Sequence, residues 1–354
     1  MVDINVNSKK NIIEKSQNYK LVIMGKVAAL AVLILLVLSS FIVDLSTGPA
    51  MVNIFDVITS LINPESLSKK VNIIVRVMRL PIATMALLAG AGLAIAGMEM
   101  QTILNNNLAS PYTLGISSAA SFGASISLIF GYAFLPKYMN NYATPIFAFA
   151  FSLISSFFIY IIGKIKKDRG TIILAGIAIS FMFTALNSIL TYFVPDEILR
   201  GITNWSQGCI LGATWQQDTI VFVVLVIATP ILFRESWKLT SLCMGESTAA
   251  ALGIDVEKLR TKVLILSSLI TSIAVCFVGT IGFVGLVAPY VAKSLVGEEQ
   301  RFFIPASMLT GAFMLSVSSV LSKVAISGVQ IPLGIVTSII GIPFLLVLIL
   351  RQGR

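Results

Sequence analysis

One apolar stretch of this sequence, residues 171–194, carries a run of polar side chains at helical spacing. Their offsets of 0, 4, 7, 8 and 11 residues place them within one arc of about 100° on a helix that turns about 100° per residue. Hydroxyl and carboxamide groups in such an arc can hydrogen-bond to a solute that passes along the helix, or they can join neighbouring helices. The residues are Ser180, Thr184, Asn187, Ser188 and Thr191.

Elsewhere the sequence contains few residues that could carry out catalysis. Histidine is absent, and the three cysteines are widely spaced, so we expect neither a proton shuttle nor a disulfide framework. Glu99 is the one carboxylate well inside an apolar stretch, near the end of that stretch. It can serve as a proton site, but one turn from the interface we expect it to reach the lipid headgroups. We predict no catalytic residue, no metal site and no cofactor.

The composition is that of an integral membrane protein. Hydrophobic residues make up 56% of the chain and charged residues 12%, with a mean hydropathy of +0.94, whereas soluble domains carry about 25% charged residues. The net charge of +9 is therefore assigned to membrane topology and not to nucleic-acid binding.

Apolar spans of about 20 residues suffice to cross a bilayer core about 30 Å thick, and we predict ten. Residues 1–20 form a polar cytoplasmic tail, and residues 21–354 form one membrane domain. The predicted spans are 21–44, 81–104, 113–134, 143–163, 171–194, 218–234, 262–280, 283–297, 302–322 and 331–350.

The charged residues predict the orientation. Most of the 25 lysines and arginines lie on the inner side if both termini are cytoplasmic. Residues 45–80 are then the longest polar connection outside the membrane, and we expect a loop there. The turn NNNLASP, which starts at Asn105, marks the inner face because polar turns do not stay in hydrocarbon. The spans within 81–194 and within 262–350 run in opposite senses, as in an inverted repeat.

Three segments resemble the FecCD-type permeases, the BtuC-like membrane subunits of ABC importers for iron-siderophores, heme and cobalamin. The first, Arg79 to Ala124, contains RLP, a glycine- and alanine-rich span and NNNLASPYTLG. The second is SLCMGESTAAALGIDVEKLR at 241–260, which is similar to the coupling segment of the family, a pair of short helices that face the ATPase subunit. The third is GFVGLVAPYVAKSLVGEEQRFFIPASMLTGA at 282–312, followed by QIPLGIVTSIIGIP.

The resemblance implies an all-α permease with the fold of type II ABC importers and about ten transmembrane helices. No GxxxxGK[ST] phosphate-binding loop occurs in the sequence, so a separate chain would hydrolyse ATP. The implied partners are a second copy of this chain or a homologous permease, two ABC ATPase subunits, an extracytoplasmic binding protein and the lipid bilayer. The implied location is a bacterial inner membrane, with both termini cytoplasmic.

The resemblance also assigns roles to single residues, and it favours the passage role for the polar run at 180–191. The residues predicted to couple the permease to the ATPase lie in the coupling segment, 238–260, and are Gly245, Glu246, Ala250, Leu252 and Gly253. Docking of the binding protein falls to Arg76, Arg79 and Lys323, and the inner gates are Asn106, Leu108, Gly170 and Thr171.

The function expected from the sequence is translocation of an iron-siderophore complex into the cytoplasm. A heme or cobalamin permease is the alternative within the family. An ion-coupled secondary transporter is less favoured, because only Glu99 qualifies as a coupling site. A membrane-embedded enzyme ranks last.

Overall fold

Helices account for nearly all of the chain in the computed structural model, which describes residues 3–50, 52–134, 142–166, 168–326 and 329–352. A 3₁₀-helix spans Pro64–Ser66 and a π-helix spans Ile73–Arg79. The α-helices are α1 (Asp3–Ser46), α2 (Ile54–Ile62), α3 (Lys69–Asn72), α4 (Leu80–Leu104), α5 (Ile116–Phe134), α6 (Ala143–Ile165), α7 (Arg169–Tyr192), α8 (Asp196–Ser206), α9 (Trp215–Arg234), α10 (Ser236–Cys243), α11 (Glu246–Ala251), α12 (Val256–Val278), α13 (Val284–Val296), α14 (Gln300–Val324) and α15 (Leu333–Gln352).

Each predicted span coincides with one of these helices. Seven helical stretches of the described chain are long and apolar enough to cross a membrane, and α5, α13 and α15 provide shorter apolar segments. The first helix begins at Asp3 and includes most of the predicted tail, whose first two residues lie outside the described ranges. Of the charges used to predict topology, Lys137, Lys167 and Arg354 also lie outside them.

The connection predicted at 45–80 is mostly helical, which corrects the expectation of a polar loop. It contains α2, the 3₁₀-helix and α3, and the π-helix continues α3 directly into α4. Residues 69–104 therefore form one continuous helical stretch. The apolar side chains of Val57 and Val75 are buried with Leu45 and Ala83 in a small separate core, which holds this segment together.

Helix α4 lies at the centre of the bundle, and small residues let its neighbours approach it closely. A Cβ on Gly90 would overlap the carbonyl oxygen of Gly311 in α14, and a Cβ on Gly311 would overlap that of Gly90. A Cβ on Gly97 would overlap the backbone of Gly285 in α13. Backbone-to-backbone packing of this kind favours helix association where lipid gives no hydrophobic driving force.

The packing pattern repeats between the two halves of the bundle, as an inverted repeat requires. Helix α5 packs on α6 and α7, and α13 packs on α14 and α15. Across the halves, α4 packs on α14 and its counterpart α12 packs on α6. The two groups of four helices therefore interlock in a reciprocal way.

The turn after α4 does not stay at one face of the bundle. A Cβ on Gly285 in α13 would lie 3.5 Å from the ring of Pro111 and 2.8 Å from the carbonyl oxygen of Leu93, three turns before α4 ends. Ala109, Ser110 and Pro111 are buried. The NNNLASP turn, predicted to mark the inner face, is thus exposed at its start and enclosed by protein at its end. Irregular backbone is tolerated at this depth because protein, not lipid, surrounds it.

Candidate functional site

The polar run on α7 contributes three side chains to a cavity of about 180 Å³. Ser180, Thr184 and Asn187 form one wall. Each lining side chain carries a hydroxyl or a carboxamide group, and none carries a charge. The other lining residues are Tyr112, Ser118, Ser121, Ser206 and Thr280.

The members of the polar run differ in whether they line the cavity and not in how they bond their own helix. Within the cavity wall, Ser118 Oγ donates to Ser180 Oγ at 3.2 Å, which ties α5 to α7. Ser188 donates to the Thr184 carbonyl oxygen at 3.0 Å, and Thr191 donates to that of Asn187 at 3.0 Å. Thr184 likewise donates to the Ser180 carbonyl oxygen, at 2.8 Å, although it lines the cavity, whereas Ser188 and Thr191 do not line it.

The carboxamide oxygen of Asn187 is buried and accepts no hydrogen bond from a described residue. Buried polar groups are otherwise nearly always satisfied, so this oxygen is an exception. The position of Asn187 in the cavity wall is the observation that agrees with the passage role.

A second cavity of about 550 Å³ adjoins the first and shares Tyr112, Ser206 and Thr280 with it. Gln207 and Ser338 add polar groups to this second cavity. Its remaining wall is mostly apolar and comes from α15 and the turn before α13, with Phe283, Ile335, Ile339, Ile342 and Pro343. The smaller cavity is therefore polar throughout, and the larger one that adjoins it has both polar and apolar walls.

Three stretches of irregular backbone meet behind these cavities. Cys209 N donates to the Val278 carbonyl oxygen at 2.8 Å, and Leu333 N donates to that of Gly208 at 3.0 Å. Phe283 has a φ of 66°, a left-handed value that is strained for a bulky residue. Broken helices that face a cavity are typical of transport sites.

Sequence reasoning missed Tyr112, Thr280 and Phe283 as lining residues. For the last two, the available signal was the GTIGFVG run at 279–285, which interrupts two apolar spans with three glycines. For Tyr112 no local signal existed, because its position depends on the return of the turn after α4 into the bundle.

The predicted gate residues Asn106 and Leu108 lie in the turn that ends α4. Asn105 has a left-handed φ of 47°, and Asn106 N donates to the Gln101 carbonyl oxygen at 3.1 Å, as in a Schellman motif. The Asn106 side chain accepts a hydrogen bond from Leu108 N at 2.8 Å. Leu108 is left exposed.

The other predicted gate residues, Gly170 and Thr171, lie in the first turn of α7. Asp168 Oδ2 caps this helix by accepting from Thr171 N at 2.8 Å, and these hydrogen bonds lower the pKa of Asp168. No hydrogen bond among the described residues joins this turn to the turn after α4. The gate role stays a prediction.

The predicted coupling segment forms two short helices, α10 and α11, as expected. Gly245 and Gly253 flank α11 with φ values of 120° and 77°, which favour glycine. Ala250 and Leu252 are exposed, the latter by 58%. The segment therefore presents a small, mostly apolar surface between two sharp turns.

Glu246 does not point a free charge away from this surface. Its Oε1 accepts hydrogen bonds from Arg169, with Nη2 at 2.6 Å and Nε at 2.9 Å, and it also pairs with Arg260. The hydrogen bond from Arg169, supported by both positive charges, lowers the pKa of this carboxyl group. The carboxylate thus joins α11 to the starts of α7 and α12.

The predicted docking residues Arg76 and Arg79 bind the ends of helices in their own chain. Arg79 is 8% exposed, and its Nη1 donates to the carbonyl oxygens of Leu45 at 2.8 Å and Ser46 at 3.0 Å, where α1 ends. Arg76 Nε donates to that of Ser60 at 2.9 Å, near the end of α2. Cations satisfy the unpaired carbonyls of helix C-termini, which explains both positions.

The third predicted docking residue, Lys323, is also engaged. Its Nζ lies 2.8 Å from Asp44 Oδ1, and the two side chains are 8% and 0% exposed. The Ser319 hydroxyl donates to the same oxygen at 2.9 Å. In this structure neither Lys323 nor Arg79 is a free surface cation, which differs from the expectation, because sequence could not place the end of α1 beside them.

Glu99 is fully buried in α4, and neither carboxylate oxygen has a hydrogen-bond partner among the described residues. The expectation that it reaches the headgroups is wrong. Its neighbours on α4, from Gly97 to Gln101, are buried as well, because α4 is enclosed by other helices at this level.

A helical membrane bundle with an uncharged polar cavity beside broken helices is typical of a membrane transport subunit. The model of the FecCD transport family matches residues 32–351, and the chain belongs to that family. It is an ABC importer permease of the FecCD and BtuC type.

Similar proteins agree with this assignment. An ABC transporter permease protein of Methanocaldococcus jannaschii is 34% identical, over 96% of this chain and 98% of that protein. The iron-uptake system permease FeuC of Bacillus subtilis is 32% identical, over 94% and 99%. A solved structure of an inward-facing metal-chelate type ABC transporter matches with a TM-score of 0.79 at 28% identity, over 91% of this chain and 98% of that chain. Further relatives are named as permeases for hemin, cobalamin and molybdate.

Proposed function

We propose that this chain moves an iron-siderophore chelate into the cytoplasm of a bacterial cell, using ATP hydrolysed by a separate ABC ATPase. The uncharged polar cavity beside α7 is the observation that carries the proposal. The name of the iron-uptake relative FeuC and the metal-chelate type of the similar solved structure support it.

The chemistry of the cavity suits a chelate better than a bare metal ion. Hydroxyl and carboxamide groups can exchange weak hydrogen bonds with the polar surface of an organic ligand. A bare transition metal would need carboxylate, imidazole or thiolate ligands, and none of these lines the described cavities. A chelate would therefore pass without tight binding.

Heme is the second candidate, and the apolar wall of the larger cavity favours it. Ile335, Ile339, Ile342 and Pro343 provide a surface that suits a flat apolar ring. A relative from Yersinia pestis named for hemin transport supports this alternative.

The proposed assembly places α11 and both termini on the cytoplasmic side and the α2 region outside. Two copies of the chain, or this chain with a homologous permease, would pair with two ATPase subunits. The exposed small surface around Ala250 and Leu252 supports ATPase docking there. Exposed apolar side chains on α7, among them Leu174, Phe181 and Ile189, support a second permease covering that helix.

Docking of an extracytoplasmic binding protein would rely chiefly on Arg76, which is partly exposed. Arg79 and Lys323 would act by holding the α1 end in place beneath that surface. The turns containing Asn106 and Thr171 would open and close the inner end of the passage.

Reconstitution tests the proposal. Permease, ATPase and binding protein in liposomes should take up a radiolabelled ferric siderophore only with ATP, and faster than labelled heme or cobalamin. Faster heme uptake would replace the siderophore with the second candidate. Uptake by the purified permease alone, driven by an ion gradient without nucleotide, would refute the importer mechanism.

A further inference from the structure

We propose that Glu246 is a positioning residue that ties the coupling helix α11 to the passage helix α7, so that movement of α11 moves α7 directly. This inference rests on the proposed function, because it assigns the route by which an ATPase would act on the passage. It adds an interaction inside the permease to the surface that the ATPase would contact.

Helix α11 has little else to hold it in place. It is six residues long, and of its residues only Ala249 is buried. A Cβ on Gly253 would meet no atom within 4 Å, and a Cβ on Gly245 would meet only two hydroxyl oxygens at 3.9 and 4.0 Å. A short helix between two glycines, with open space around both, can move as a unit unless a specific contact fixes it.

The contact to Arg169 provides that fixation. Arg169 is the first residue of α7, where a positive charge is unfavourable to the helix dipole. Its guanidinium makes two bonds to one carboxylate oxygen of Glu246, at 2.6 and 2.9 Å. The positive charge of Arg169 therefore stabilises the contact between α7 and α11 and does not stabilise α7 itself.

Helix α7 transmits the movement because it is continuous from Arg169 to Tyr192. Ser180, the first cavity residue, lies 11 positions after Arg169, or about 16 Å along the helix axis. A displacement of the first turn is thus carried to the cavity wall without an intervening loop.

The same carboxylate reaches the turn after α4 through Arg260. The Arg260 side chain pairs with Glu246, and its Nε donates to the Ile103 carbonyl oxygen at 3.2 Å, one residue before α4 ends. Asn106 and Leu108 follow within five residues. Glu246 therefore contacts, directly or through one arginine, the two chain segments that carry the proposed gates.

The Asp255–Lys258 pair provides a matched control in the same segment. It is also an ion pair, at 2.8 Å, but it lies within one helix turn, and its side chains are 50% and 86% exposed. Asp255→Asn removes the charge and keeps a good N-cap. Glu246→Gln likewise removes the charge and keeps the size of the side chain.

The first experiment measures geometry on the full-length permease without any partner. Spin labels at Ala250 and at exposed Leu174 report the distance between α11 and α7. Wild type and Asp255→Asn should give one narrow distribution, and Glu246→Gln should give a broad one. A narrow distribution for Glu246→Gln would overturn the proposal.

The second experiment measures uptake per ATP hydrolysed in the reconstituted complex. Glu246→Gln should keep the ATPase bound and active but lower this ratio about tenfold, within the range for coupling between two sites. Asp255→Asn should match wild type, and Glu246→Arg combined with Arg169→Glu should recover part of the loss.

Two results would count against the tie. Loss of the ATPase from the Glu246→Gln complex would make Glu246 a docking contact, and an unchanged ratio would leave it without a role in coupling. If the wild-type complex shows no ATP-driven uptake, the proposed function fails, while the distance measurement still decides whether the tie exists.

Discussion

The substitution Lys323→Met tests whether the buried Asp44–Lys323 pair is structural. The lysine nitrogen lies 2.8 Å from Asp44 Oδ1, and the carboxylate is 0% exposed. Ser319 donates to the same oxygen, and no described residue bonds the other one. Methionine keeps most of the side-chain volume but removes the cation, so the buried carboxylate loses its ionic partner.

The expected loss follows from burial. Removing one partner of a buried ion pair costs about 3–5 kcal/mol, whereas replacing both partners by apolar residues of similar volume is neutral or stabilising. We therefore expect Lys323→Met to lower the free energy of unfolding by about 3 kcal/mol. Asp44→Leu combined with Lys323→Met should recover most of this loss. Lys258→Met, in an exposed pair, should leave the free energy of unfolding close to that of wild type, because solvent screens the pair.

Unfolding of the purified permease in mixed micelles, followed by the fluorescence of its three tryptophans, measures these differences. The ordering of the three variants matters more than the absolute values, because the unfolded state in micelles retains structure. If Lys323→Met unfolds like wild type while the affinity for the binding protein falls, Lys323 is a docking cation and the reasoning from burial is wrong.

Three further predictions follow from packing, the cavity and charge. Gly97→Ala should destabilise the permease by about 1–3 kcal/mol or more, because the new methyl group overlaps the Gly285 backbone; unfolding in micelles measures this. Thr184→Val should change the uptake rate in liposomes without affecting assembly, whereas Ser188→Ala, outside the cavity wall, should transport normally; equal effects would assign both residues to helix joining. Two arginines lower the pKa of Glu246, so its contribution to stability is complete above its ordinary pKa of 4.5 and disappears as the pH falls through the lowered value. The distribution of distances between labels on α11 and α7 should accordingly stay narrow at neutral pH and broaden only in acid. A broad distribution at neutral pH would contradict this prediction.

The helices and the polar run were accessible from sequence because both depend on local periodicity. The apolar spans fix where helices form, and the 3.6-residue period places Ser180, Thr184 and Asn187 on one face. The two short helices of the coupling segment were instead implied by the family resemblance, and Gly245 and Gly253 mark the sharp turns on either side of α11.

The partners of charged and buried groups were not accessible, because they lie far apart in the chain. Arg79 and the end of α1 are separated by 33 and 34 residues, and Lys323 and Asp44 by 279. An arginine near an apolar span is compatible with a headgroup, a docking protein or a helix end, and only the three-dimensional structure distinguishes them. The burial of Glu99 and the return of Tyr112 into the bundle depend likewise on how whole helices pack.

The close crossings of α4 with α13 and α14 have a consequence for how the transporter can diversify. Those crossings depend on backbone contact at glycines, so they tolerate almost no change in side-chain size. The walls that would touch the cargo belong mainly to α7, α15 and the junction turns, whose side chains contribute little to those crossings. A new cargo can therefore be accommodated by mutation of the walls while the architecture persists.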